Sequence, residues 1–159
     1  MNYYNQTAKG YPELHQEEQI KKIKIIKENI KIKPNEKILD LGAGTGFLND
    51  FFENITSVDP SEELLKQNKN PNKIKASAED LPFPDRSFDW VVCVTAIHHF
   101  NLDESIKEIK RVGKNNFVIT VLKKSQKKEQ IINKLKQSFK TKKQIEEEKD
   151  TIFILENYK

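Results

Sequence analysis

Between residues 13 and 32, Ile20, Ile23, Ile26 and Ile30 recur at three- and four-residue intervals, with Lys21, Lys22, Lys24 and Lys27 between them. That spacing predicts an amphipathic helix. Pro34 disfavours helical geometry at the residue before it, and the apolar run over residues 37–41 that follows predicts a first strand. Beyond a cluster of glycines, Phe47, Leu48, Phe51 and Phe52 mark one face of a second helix, and residues 55–58 read as a second strand. A helix over 61–68 carrying Leu64 and Leu65, a short strand over 74–76 and a loop with Pro82 and Pro84 come next. Residues 88–96, rich in valine, suit a central strand buried on both faces. A helix over 103–112 and a strand over 117–122 continue the alternation. Ser125 caps a further helix with Ile131, Ile132 and Leu135 inward, and a polar segment leads to a last apolar strand over 151–155.

Helices and strands alternating at these lengths predict an α/β fold: a Rossmann-like three-layer sandwich whose mostly parallel sheet is covered by helices on both faces. At 159 residues, without a linker or internal repeat, the chain reads as one domain. Residues 1–34 form an N-terminal segment and helix, 35–124 a ligand-binding core, and 125–159 a C-terminal helix and strand. Hydrophobic residues make up 36% and charged residues 33%, enough for a core beneath a heavily charged surface. No apolar run approaches the roughly 20 residues of a membrane span, and residues 1–10 do not read as a signal peptide, so a cytoplasmic location without membrane insertion is expected. Cys93 is the only cysteine and His15, His98 and His99 are scattered, which excludes a disulfide framework and argues against a metal centre. The net charge of +4 tolerates an anionic partner without requiring one.

The segment Ile38, Leu39, Asp40, Leu41, Gly42, Ala43, Gly44, Thr45, Gly46, Phe47 carries the chemistry. An apolar strand runs into closely spaced glycines, which allow a tight turn and let a ligand approach the backbone where a Cβ would collide. Open α/β sheets bind ligands beyond the carboxyl ends of their strands, which is where this turn falls. A dinucleotide site would want G-x-G-x-x-G, and Phe47 stands at the third-glycine position, so the match to NAD is poor. Asp59, followed by Pro60, ends the second strand, in position for its carboxylate to accept hydrogen bonds from two ribose hydroxyls.

With these motifs in order, the chain resembles the class I S-adenosylmethionine-dependent methyltransferases, in particular the small ubiquinone-biosynthesis-like (methyltransferase type 11) branch. The likeness spans about residues 11–124: the glycine turn, the acidic 58–61 segment, the A-E-D-L-P-F-P-D core within 76–88, and the fourth strand with its loop over 91–100. The resemblance implies S-adenosylmethionine as cofactor. Gly42, Ala43, Gly44 and Gly46 would surround its methionine part, Asp59 with Pro60 would hold the ribose, and Ser77, Ala78 and Glu79 would flank the adenine. Family members often carry Asp or Asn where this chain has Ser77, so the adenine contact departs from the pattern. Asp40 either orients the turn or holds the cofactor's amino group. Tyr11 resembles an aromatic position that closes over the cofactor, or else packs the first helix. The terminal segment would supply the family's antiparallel strand.

Methyl transfer from a sulfonium needs a nucleophile aligned behind the methyl group and water excluded, so a general base is optional. Thr95, Ala96 and Ile97 would line the cofactor edge; His99 is the candidate proton acceptor, its alternative being an ordinary loop histidine. The N-P-P-Y type of tetrapeptide found here in many enzymes acting on planar nitrogen is absent. The expected acceptor is RNA or protein, with a possible activating subunit, because little chain remains to form a lid over a small metabolite. Lys123, Lys124, Lys127, Lys128, Lys140, Lys142 and Lys143 could meet phosphates, or form a solvated helix and hairpin. A quinone-like metabolite is the alternative acceptor. A nicotinamide-dependent oxidoreductase and a non-catalytic RNA- or protein-binding subunit are the rival readings.

Overall fold

A computed structural model describes residues 11–159, and side chains from Glu13 onward. Helix α1 (Tyr11–Asn29) precedes strand β1 (Ile38–Leu41), and a 3-10 turn (Phe47–Asp50) leads to β2 (Ile55–Asp59). Then come α2 (Glu62–Gln67), β3 (Lys73–Lys75), β4 (Phe88–Cys93), a 3-10 turn (Ile97–His99), α3 (Leu102–Val112) and β5 (Gly113–Leu122). Helix α4 (Lys128–Ser138) and the hairpin of β6 (Lys140–Glu146) and β7 (Asp150–Glu156) complete the order. Seven strands form one sheet, β3-β2-β1-β4-β5-β7-β6. Neighbours from β3 to β5 run parallel, and β7 enters antiparallel to both β5 and β6. The expected parallel sheet with an antiparallel C-terminal strand is therefore observed. Strand order reverses between β1 and β4, and such a switch point opens a crevice beyond the carboxyl ends of the strands.

Successive side chains of a strand point to opposite faces, and β4 shows the consequence. Trp90 and Val92 pack with Ile23 and Ile26 of α1, together with Ile38, Val118 and Ile152. Val91 and Cys93 turn to the other face, among Ile106 and Ile109 of α3 and Ile131 and Leu135 of α4. Ser61 caps α2 by accepting from the Leu64 amide at 3.2 Å, and Asn101 caps α3 by accepting from Glu104 at 3.1 Å. Each such cap contributes about 1 kcal/mol.

Four sequence expectations change. Phe47 to Phe52 form no α-helix, only a 3-10 turn: Asn49 and Asp50 follow at once, polar side chains that compete with helical hydrogen bonding, and Asn49 bonds Asn68 instead. The polar segment before the last strand is itself a strand, β6, an outer position whose side chains are mostly exposed and so leave no apolar alternation. Lys22, which the helical pattern assigns to the polar face of α1, is buried at 2% exposure because Asp150 of β7 lies 3.0 Å from its ammonium. Ser125 does not cap α4 as expected: the helix starts at Lys128 with Lys127 at its N-cap position and no side-chain cap, because the Ser125 hydroxyl accepts from the Lys127 amide at 3.1 Å, a turn before the helix.

Candidate active site

The three glycines after β1 all take left-handed backbone, with φ of 75° at Gly42, 55° at Gly44 and 91° at Gly46. The turn is fastened to β2: the Gly42 and Ala43 amides both donate to the Val58 carbonyl, at 2.8 and 2.9 Å. Asp59 joins the two segments, its Oδ2 accepting from the Gly44 amide and its Oδ1 from the Ser61 amide, each at 2.9 Å. A carboxylate oxygen has two acceptor sites, so each keeps one for a ligand hydroxyl. Asn68 braces the turn by donating to the Gly44 carbonyl at 3.2 Å. A Cβ on Gly42 would stand 2.6 Å from the Cβ of Ala96, whereas one on Gly44 would meet nothing nearer than Leu64 at 3.9 Å. Gly42 is thus pressed against the loop after β4, and the space beside Gly44 is open, as a cofactor cradle requires.

Asp40 lies buried behind the turn, and burial, with the nearby Asp59 charge second, pushes its carboxyl up to about 7. In the loop after β3, the Asp80 amide donates to the Ser77 carbonyl at 3.2 Å, Ala78 is buried and Ser77 exposed. Glu79 keeps its Oε2 buried without a hydrogen-bond partner. A buried acceptor lacking a donor suits a loop that meets the donors of a ligand. Pro60 is exposed beside Asp59. The side chain of Tyr11 lies outside the described residues.

The loop after β4 faces the turn from the other side of the switch. Thr95 has φ 51°, unusual for a β-branched residue, and its hydroxyl is committed to Asp150 at 2.6 Å rather than turned to a ligand. His98 and His99 lie with ring centroids 4.0 Å apart. Burial, with His99 second, holds His98 down at about 4, so its imidazole is neutral at pH 7, and its Nδ1 is buried without a partner. His99 is exposed, and Lys127 donates to the His98 carbonyl at 3.3 Å. The structure thus brings Asp40, the glycines and Asp59 together, sets the Ser77–Glu79 loop after the adjacent strand, and presses Ala96 to the turn.

Sequence reasoning missed what holds these loops. Glu108 of α3 accepts from the Leu81 amide at 2.7 Å, and Arg111 donates to the Leu81 and Phe83 carbonyls at 3.0 and 2.7 Å while pairing with Glu108 and Asp85. A signal existed: arginine occurs only at Arg86 and Arg111 in a chain otherwise cationic through lysine, and its planar fork suits several acceptors at once.

Residues 39–121 match the family described as a methyltransferase domain. An uncharacterized protein of Methanocaldococcus jannaschii is 36% identical over 128 residues, covering 75% of this chain and 50% of its own. The ubiquinone/menaquinone biosynthesis C-methyltransferase of Shewanella pealeana is 31% identical over 126 residues, 68% of this chain and 50% of its own. The chain spans about half the length of these curated relatives. Among solved structures, an S-adenosylmethionine-dependent methyltransferase of Aquifex aeolicus superposes with a TM-score of 0.72 at 17% identity, covering 86% of this chain and 89% of the other. A Haloferax volcanii methyltransferase in complex with the activator Trm112 superposes at 0.62 and 20% identity, over 70% and 56%. With this fold, this turn and these relatives, the chain belongs to the methyltransferase domain family.

Proposed function

We propose that the chain binds S-adenosylmethionine at the crevice between β1 and β4 and transfers its methyl group to a macromolecular acceptor, RNA or protein, in the cytoplasm, with a partner subunit helping to enclose the reacting groups. The cofactor reading rests above all on Asp59, whose carboxylate bridges the Gly44 and Ser61 amides and keeps an acceptor site on each oxygen. Gly42, Ala43, Gly44 and Gly46 would surround the methionine part, Asp59 and Pro60 the ribose, and Ser77, Ala78 and Glu79 the adenine. Asp40 would orient the turn or meet the ammonium, and Tyr11 and Thr95 would border the same space. When bound, the sulfonium supplies an electrophilic methyl group. The chain's own part is alignment and exclusion of water. His99, exposed beside a neutral His98, would accept a proton from the acceptor.

The macromolecular reading is supported by the lysines that follow β5. Lys124 and Lys127 are exposed, and the Lys127 ammonium reaches the His98 carbonyl, beside the loop an acceptor would approach. A phosphate backbone would meet them there. The Haloferax structure, a methyltransferase with its activator, supports the partner. A quinone-like acceptor is the second reading, favoured by the likeness to the ubiquinone/menaquinone enzyme.

Asp59→Ala should weaken binding of S-adenosylmethionine and S-adenosylhomocysteine alike, by about 1.5–3 kcal/mol per lost charge-assisted bond. Calorimetric titration of a variant whose circular dichroism is unchanged tests it; undiminished affinity removes Asp59 from the site. The acceptor is tested by offering purified RNA, protein and metabolite pools with methyl-labelled cofactor, with and without cell extract. Label in a polymer, stimulated by extract, is expected; efficient methylation of a small metabolite by the isolated chain alone overturns the macromolecular reading.

A further inference from the structure

The loop after β4 is held from behind by a buried polar network drawn from three separate elements. The Lys22 ammonium, on α1, lies 3.0 Å from Asp150 Oδ1 and donates to Gln19 at 2.9 Å and to the Thr95 hydroxyl at 3.1 Å. Two of its hydrogens thus have hydrogen-bond acceptors, and its charge faces the Asp150 carboxylate, whose Oδ1 accepts no hydrogen bond. Asp150 Oδ2, at the start of β7, accepts from the hydroxyls of Thr95 and of Thr120 on β5, at 2.6 and 2.7 Å. The Thr120 oxygen in turn accepts from the Thr95 amide at 2.7 Å. Lys22, Asp150, Thr120 and Gln19 are all buried. Buried and ion-paired in this network, Lys22 is no general base, and the network ends at Thr95, the one residue of this loop with left-handed backbone. The next residue, Ala96, is the one pressed against Gly42.

We propose that the Lys22–Asp150 pair is a positioning device: it holds Thr95 in its strained conformation and so sets residues 96–99 against the glycine turn, coupling the acceptor-side loop to the cofactor cradle. The cofactor half of this statement rests on the function proposed above. Neither Lys22 nor Asp150 touches the reacting groups; both act through Thr95. A buried ion pair replaced as a unit by apolar residues often leaves stability unchanged, whereas removing one partner strands a charge. The double variant Lys22→Met/Asp150→Leu therefore separates positioning from stability.

In the test, thermal midpoint, hydrogen exchange and S-adenosylhomocysteine affinity are measured for the full chain and for this double variant. The expected result is a midpoint near that of the wild type, with amides of residues 95–99 exchanging at least tenfold faster and affinity at least fivefold weaker. Because the double variant could fold poorly, Thr95→Ala and Thr95→Gly provide a second comparison. Alanine keeps the strain and loses the hydroxyl that holds it, so affinity should drop at least fivefold; glycine loses the same hydroxyl but adopts the conformation without strain, so its loss should be at least threefold smaller than alanine's. Wild-type exchange and affinity in a folded double variant, or equal affinities for the two Thr95 variants, would overturn the proposal. If the wild-type chain fails to bind S-adenosylhomocysteine, the cofactor reading falls by itself, and the exchange rates still decide whether the pair holds the loop.

Discussion

At the scale of single residues, one buried and one half-buried group near the site have opposite proton linkage. Asp40 rises from 3.8 to about 7 on folding, so the folded chain keeps a proton that the unfolded chain releases. Its stabilising contribution is complete below pH 3.8 and is lost as pH rises through 7, a difference of at most roughly 4 kcal/mol. His98 falls from 6.5 to about 4, so its contribution is complete above pH 6.5 and is lost as pH falls through 4. Between pH 4 and 6.5 the two slopes offset each other. Asp40→Asn should therefore make the chain more sensitive to acid than wild type between pH 6.5 and 5, and His98→Gln should make it gain stability over the same step. Thermal midpoints at half-unit pH intervals read the difference, at about 2–4 °C per kcal/mol; parallel curves for all three proteins would refute both assignments. The glycines make a second contrast. Gly44→Ala adds a methyl where only Leu64 approaches, at 3.9 Å, so it should cost about 1 kcal/mol of backbone strain and mainly weaken cofactor binding. Gly42→Ala drives a methyl into Ala96 at 2.6 Å and should lower the thermal midpoint first.

At the scale of elements, what the sequence made legible was local. The glycine turn and Asp59 each sit within a few residues of the strand end that gives them meaning, and apolar runs such as Phe88–Cys93 announce strands buried on both faces. The hidden features are those whose meaning depends on distant chain. Strand β6 is polar because an outer strand can leave its side chains in water, and Lys22 reads as a surface lysine until Asp150 is folded against it. The loop of residues 81–85 is likewise ordered from α3, through Glu108 and Arg111. Arg111→Met keeps much of the apolar stem and removes the fork, releasing two loop carbonyls and two carboxylates. Half-exposed pairs contribute little individually, so the loss of stability should stay near 1–2 kcal/mol. Because residues 77–79 lie just upstream in the same loop, affinity for adenosine-containing ligands should fall about tenfold while affinity for methionine alone does not change. Equal loss for both ligands would place the clamp elsewhere in the binding process.

At the scale of the whole molecule, β7 is inserted between β5 and β6, so the last strand of the sequence is an inner strand of the sheet. Ile152, Phe153, Ile154 and Leu155 are all buried, Ile152 packing on the face under α1 and Phe153 and Leu155 on the face under α3 and α4. Burying such side chains is worth roughly 1.5–3 kcal/mol each, so the four together contribute about 6–12 kcal/mol. That equals the entire net stability of an ordinary domain, about 5–15 kcal/mol. The same strand carries Asp150, without which the Lys22 charge would be buried alone. A chain ending at Ser138 retains the glycine turn, Asp59, the residue 77–79 loop and both histidines, and yet should have no cooperative thermal transition and no measurable affinity for S-adenosylhomocysteine. Adding residues 139–159 back as a separate peptide should restore binding only in proportion to the strand pairing it recovers, followed by circular dichroism on the same sample. A truncated chain that melts cooperatively within a few degrees of the full one would mean that β1 to β5 with their helices suffice, and that the hairpin decorates the cofactor fold rather than completing it.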